Sequence, residues 1–438
     1  MNRILIKNGR LIDPVNNIDK ILDLLVEDGK IRKIEKNINI SIENDDKIID
    51  ASEKIVIPGL VDMHAHFKDP GNTDDEDLES GSKCAAIGGY TTVAIMPDTD
   101  PVIDNAVVVE YILSKANKVS LVNIIPVGAI SKGREGKMLS PMYSLYNSGV
   151  RLFSDDGKSV HDADLMRMAL QYSKIVDVPI SVHEDCTELS GKGVMREGFL
   201  SSKMGLVGIP SSAEAVMAAR DLILAEEVGS RLHINEVSSK LSLDYIRFAK
   251  SRGVKVTAGV SIHHLFMNEQ EVSNYNNKGR ISPPLGSEED RISLSQGLKD
   301  GTIDVIVTSH DPHNLTSKLD AFNYTNPPGM LGLEVAFSIV LEELVEKNYL
   351  DLSMAIIKMS SNPASILGLK EKGNLGIGMD ADIIIVDTNK EWINDTSKSY
   401  SKSRNDPYDG KKMKGKVEYT IVGGEIVIEN YLLNSKQF

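Results

Sequence analysis

The pattern of apolar and polar positions divides this chain into three stretches. Residues 1 to about 55 carry short apolar runs at 4–7, 22–26 and 31–34. The last two are joined across Asp28-Gly29, a strong hairpin signal. The far end repeats the pattern: an apolar run at 383–386, another at 419–422, then Gly423-Gly424 turning into 425–428. These short strands predict a β-sandwich built from both termini, residues 1–55 and 373–438.

Between the termini the pattern is different. Apolar strand-like runs near 55–62, 91–96, 121–127, 150–154, 178–182, 231–235, 254–258 and 303–308 alternate with helix-like segments. Helical apolar spacing is clearest over 163–176, 212–227, 242–251 and 289–299. Eight such alternations predict an α/β chain whose residues 56–372 close a (β/α)8 TIM-like barrel. Two longer polar stretches, 261–284 and 313–330, fall where barrel loops bind substrates.

Composition narrows the class. At 438 residues, 41% hydrophobic and 26% charged, the chain can bury a large core, and no apolar run approaches the roughly 18 residues of a membrane span. The first ten residues are too polar for a signal-peptide core, and Cys84 and Cys186 are the only cysteines, which together predict a cytoplasmic protein. A formal charge of −14 argues against wide nucleic-acid contacts. A small anionic substrate remains compatible with it, because a site is decided by its local charges.

The candidate chemistry lies at the predicted strand ends, where barrel sites collect. The first strand runs into Val61-Asp62-Met63-His64-Ala65-His66, two imidazoles at i and i+2 that share a face in extended chain and suit zinc. Alone, such a pair reads better as two satisfied histidines near a strand end. Four other strand ends carry Ser154-Asp155-Asp156-Gly157, His183-Glu184-Asp185, His233-Ile234-Asn235-Glu236 and Ser309-His310-Asp311-Pro312-His313. Histidines and carboxylates at five of eight strand ends favour a shared metal site.

Several of these segments resemble the bacterial type I dihydroorotases, members of the metal-dependent amidohydrolase superfamily. The resemblance rests on Pro58-Gly59-Leu60-Val61-Asp62-Met63-His64-Ala65-His66, Met96-Pro97-Asp98-Thr99, Phe153 to Gly157, Val182 to Asp185, Ser282-Pro283-Pro284-Leu285, Ser361-Asn362-Pro363-Ala364 and Gly376 to Asp382. It implies one or two zinc ions, with His64 and His66 on the first, Asp156 at the metal centre and His183 on the second. It also implies a cyclic amide substrate, dihydroorotate interconverting with N-carbamoyl-L-aspartate in pyrimidine biosynthesis, and a homodimer.

The chain departs from that family at several functional positions. Glu236 stands where the family has a histidine ligand, and a carboxylate can also bind zinc; the alternative is a surface glutamate and no second metal. Ser309 replaces the aspartate that shuttles the proton. Asp311, two residues on, would point to the same side in extended chain and supply that carboxylate, or else simply cap the turn before Pro312. For substrate binding, the resemblance implies Lys68 in place of an arginine, Asp98 and Ser282 in place of asparagines, and His313 unchanged; Gly286 stands where an arginine often follows. Lysine keeps the charge but loses the bidentate fork. Two other readings stay open: a hydantoinase-like or allantoinase-like hydrolase of another cyclic amide, and a catalytically impaired homologue serving as structural partner of aspartate transcarbamoylase.

Overall fold

Gly59 separates two strands that the sequence pattern merges into one. In the computed structural model, which describes residues 3–41, 46–319 and 321–434, Ile55–Pro58 pairs antiparallel with Ile383–Ile393 and parallel with Arg3–Asp13. After Gly59 the chain starts afresh as Leu60–Ala65, parallel to Tyr90–Ile95. A Cβ at Gly59 would lie 2.2 Å from Thr91 Oγ1, so only glycine lets the chain pass there. Residues 56–58, expected in the barrel, therefore belong to the terminal sheet. Residues 1, 2, 42–45 and 435–438 of the expected terminal unit lie outside the described residues.

The termini share one nine-stranded sheet. Its order is Leu432–Leu433, Glu425–Glu429, Lys412–Val422, Ile383–Ile393, Ile55–Pro58, Arg3–Asp13, Ile18–Glu27 and Lys30–Glu35, with Lys47–Asp50 also on Arg3–Asp13. Both tight turns have the positive φ angles such hairpins need: 51° and 72° at Asp28-Gly29, 55° and 83° at Gly423-Gly424. Side chains alternate between two cores. Val56 and Ile385 pack with Ile6 and Leu11 inside the curled sheet, whereas Ile55, Ile57 and Ile384 pack against the barrel's outer layer. Burying both faces fixes the register of the central strands.

The barrel closes through eight positions. Around it run Leu60–Ala65, Tyr90–Ile95, Asn123–Pro126, the single bridging residue Phe153, Ile180–Val182, Leu232–Ile234, Val256–Ser261 and Val305–Val307. A parallel bridge from His310 to Ala65 completes the ring. The expected strand at 150–154 is reduced to Phe153, which bridges Gly128 and Ile180; its neighbour Pro179 has no N–H to extend the ladder. The four expected helices form as Ala163–Val176, Ser211–Val228, Lys240–Ser251 and Glu288–Asp300. Val61, Met63, Ala94, Met96 and Val307 fill the interior below the site. Among the described residues no helix is long and apolar enough to cross a membrane.

Candidate metal centre

His64 lies near the end of Leu60–Ala65 and His66 just beyond it, where strand pairing is irregular between Asp62 and Ala65. Asp62 helps fix this end by accepting from the backbone N–H of His64 at 3.2 Å and from that of Thr308 at 3.2 Å. On the other side, the His66 N–H donates to the His310 carbonyl at 2.9 Å, tying the pair to the eighth strand. The Nε2 atoms of His64 and His66 consequently lie 3.1 Å apart.

Asp156 reaches the same point from the turn after Phe153. Its Oδ2 is 3.2 Å from His64 Nε2 and 3.5 Å from His66 Nε2. These three separations match the roughly 3.3 Å edge of a tetrahedron whose zinc–ligand bonds are about 2.0–2.1 Å. The site thus fits a zinc ion by donor type and by donor spacing. His183 and Glu236 stand beside it: His183 Nδ1 is 3.8 Å from Asp156 Oδ1 and 3.7 Å from Glu236 Oε2, and that buried nitrogen has no hydrogen-bond partner. A second cation would use such a nitrogen. The five expected ligands His64, His66, Asp156, His183 and Glu236 are therefore brought together, all buried, around one cavity of about 120 Å³.

The electrostatics call for positive charge. Burial alone would lower the His64 imidazole, but Asp156 and then Glu236 outweigh it and raise it to about 10. Burial likewise works to raise Asp156, yet the surrounding imidazoles, His64 foremost, hold it below the usual carboxylate range. Two buried carboxylates in one pocket are costly without cations, and without a metal only protonated histidines can supply them.

The remaining expected site residues take up places the sequence did not specify. Asp98, expected to meet the substrate, has its Oδ2 2.9 Å from Nδ1 of His66, an arrangement that orients the ring and leaves Nε2 for a metal. Ser282 Oγ lies 3.3 Å from Nε2 of His183. Ser309 adopts φ 49°, so the extended geometry expected from 309 to 311 does not hold, and its hydroxyl donates to Glu236. Asp311 still lines the cavity, but both of its oxygens are engaged: Oδ1 by Lys68 Nζ at 2.9 Å, Oδ2 by His313 Nε2 at 3.2 Å. Lys68 is thereby spent on a carboxylate of the chain itself. His313 Nε2 is also 2.7 Å from the Pro328 carbonyl.

Sequence reasoning passed over Asn235 and Arg134. The Asn235 amide nitrogen is placed 2.9 Å from His64 Nδ1, while its buried oxygen has no partner. Rotating the amide, whose oxygen and nitrogen are told apart only by their hydrogen-bond partners, puts the oxygen on Nδ1–H and frees His64 Nε2 as a ligand, in exchange for the 3.4 Å contact from Asn235 Nδ2 to Asp156 Oδ1. Its place beside Glu236 at a strand end was the only available signal. Arg134 donates to the Asp156 backbone carbonyl from a loop that no pattern marked.

Comparison with known proteins places these features in context. The family described as "Dihydro-orotase-like" matches residues 53–242, and "Amidohydrolase family" matches residues 252–428. A dihydroorotase of Acetivibrio thermocellus is 45% identical over 98% of this chain and 100% of its own length. One of Aquifex aeolicus is 44% identical, again over 98% and 100%. Among solved structures, an L-hydantoinase (dihydropyrimidinase) from Arthrobacter aurescens superposes with TM-score 0.88 at 24% identity, covering 99% of this chain and 98% of its own. A dihydropyrimidinase from Brevibacillus agri gives TM-score 0.86 at 20% identity, covering 98% and 96%. Those two likenesses concern the fold.

Proposed function

The chain belongs to the dihydroorotases of the amidohydrolase superfamily, and from that premise we propose that it opens a cyclic amide ring by hydrolysing a C–N bond, with dihydroorotate as the ring its relatives' names indicate. The observation that carries this reading is the convergence of His64 Nε2, His66 Nε2 and Asp156 Oδ2, with His183 and Glu236 alongside, on one cavity. The donor set would suit one zinc at the first three residues, and His183 Nδ1 beside Asp156 Oδ1 would offer donors to a second. When bound, zinc supplies Lewis acidity at this centre.

The chain's own residues do the rest. Water adds to the ring carbonyl carbon, and Glu236 takes its proton; the proton passes to the ring nitrogen as the C–N bond breaks. Glu236 suits this role better than Asp311, because Lys68 and His313 hold both Asp311 oxygens, whereas Ser309 holds one Glu236 oxygen and Oε2 faces His64 and His183 only at 3.4 and 3.7 Å. Ser309, which cannot itself act as an effective base, fixes the Glu236 carboxylate through its hydroxyl. Asp98 and Asn235 orient His66 and His64. A non-catalytic partner of aspartate transcarbamoylase would make no use of this buried donor set.

The test pairs metal analysis with turnover. Zinc-loaded protein is expected to hydrolyse a cyclic amide, and Glu236→Gln to lower kcat by about 10²–10⁴-fold while the His64–His66–Asp156 zinc is retained. Zinc-replete wild-type protein that turns over none of dihydroorotate, dihydrouracil, hydantoin and allantoin overturns the reading.

A further inference from the structure

Two buried cations flank the cavity, and neither forms an ion pair among the described residues. Ile281, Ser282, Pro328 and Gly329 make up one wall of that cavity. Arg280 directly precedes Ile281, and its carbonyl accepts from the Gly329 N–H at 2.9 Å, which joins the two loops of the wall. Lys318 is tied to the same loops: its Nζ donates to the Pro327 carbonyl at 2.7 Å, and its own carbonyl accepts from Asn277 Nδ2 at 3.4 Å. Both residues are only 7% exposed. Arg280 Nη1 is buried without a hydrogen-bond partner, and Lys318 Nζ has that one carbonyl.

Lys68 differs from this pair. Its Nζ lies 2.9 Å from Asp311 Oδ1 and 4.0 Å from Asp75 Oδ2, so its charge is already balanced. Burial lowers the Arg280 guanidinium to about 10. It also lowers the Lys318 ammonium to about 7; Asp311 offsets part of this, whereas Arg280 and Lys68 add repulsion. A buried charge without a counter-ion is costly, and an anion seated beside these two would remove that cost.

We propose that Arg280 and Lys318 form the seat for the carboxylate of an anionic cyclic amide, holding the charged end of the ring on the loop wall while its amide faces the metal centre. This rests on the reading of the site as a cyclic-amide hydrolase. Arg280 supplies the planar fork that Lys68 lacks, and Lys318 adds a point charge. A neutral ring gains nothing from the seat, so the two cations set a preference for a charged one.

The experiment compares two unreactive rings that differ by a carboxylate. Zinc-loaded wild type, Arg280→Gln and Lys318→Gln are titrated calorimetrically with orotate, with uracil and with inorganic phosphate, and kcat/KM is measured for dihydroorotate and dihydrouracil. Wild type is expected to bind orotate more tightly than uracil. Each substitution is expected to lower the orotate-to-uracil affinity ratio by about tenfold or more, the size of one charge pair in a partly buried site. An unchanged ratio in either variant overturns the shared seat. Equal weakening of both rings also overturns it, since that is a structural role, and so does phosphate binding that needs both cations while the ratio stays fixed. Wild-type preference for uracil overturns it without any variant, so the proposal stays testable if a substitution prevents folding. If no ring is hydrolysed by any form but the ratio still falls, the hydrolase reading fails and the seat stands; turnover with an unmoved ratio gives the reverse.

Discussion

The side-chain amide of Asn235 lies 2.9 Å from Nδ1 of His64, directly behind the ring nitrogen that faces His66 and Asp156. The strand Leu232–Ile234 ends just before it, so a rigid element sets the position of this amide. With the amide rotated so that its oxygen accepts the Nδ1 proton, Asn235 keeps the His64 lone pair on Nε2. Asn235→Ala is expected to weaken zinc binding by about 10–100-fold, the usual cost of losing such a partner. Competition with a chromophoric chelator measures it; an unaltered zinc affinity would show that the amide does not set the tautomer.

Metal removal is expected to cost stability as well as activity, because His64, His66, Asp156, His183 and Glu236 come from strand ends far apart in the chain and leave buried carboxylates uncompensated. Free zinc at about 100 times its Kd is expected to stabilise the fold by about 2.7 kcal/mol over the stripped protein. Thermal melts of chelator-treated and zinc-restored samples test this. Equal melting temperatures in a sample shown to have taken up zinc would contradict it.

Acid stability is expected to depend on His263, fully buried and bonded through Nδ1 to Tyr408 Oη at 2.7 Å. Burial, reinforced by His264, lowers its imidazole to about 3 in the fold. The unfolded chain binds that proton near pH 6.5, so the contribution of His263 falls as pH drops from about 6.5 toward 3 and is level above that window. The steepest loss from this one group is about 1.4 kcal/mol per pH unit. Denaturant midpoints of wild type and His263→Gln between pH 7 and 4.5 should diverge most at pH 7 and converge on acidification. Parallel curves would exclude the histidine as the source.

Gly59 is expected to tolerate no side chain. In Gly59→Ala the new methyl would overlap Thr91 Oγ1 and Cγ2, at 2.2 and 2.3 Å, where the terminal sheet hands over to the barrel. Overpacking of this kind costs about 1–3 kcal/mol. The double variant Gly59→Ala/Thr91→Ala should recover part of the loss in chemical denaturation; no recovery would place the strain elsewhere.

Much of this protein is determined by the sequence alone. The alternation of strand-like and helix-like runs is local, so the four helices, both glycine turns and seven of the eight barrel positions lie close to where periodicity puts them. The convergence of the candidate metal ligands was legible for a related reason: a barrel gathers its strand ends on one face, so polar residues at those ends must meet. What only the tertiary structure decided concerns partners distant in the chain. Periodicity cannot show that Gly59 cuts one apolar run in two, because the cut is made by Thr91 and by pairing with Ile383–Ile393. Nor can spacing reveal that Asp98 turns to His66, that Ser309 leaves extended geometry at φ 49° to reach Glu236, or that Asp311 joins Lys68 across 243 positions of sequence. Those contacts are long-range choices among several available carboxylates, and burial together with charge pairing in the folded barrel makes them.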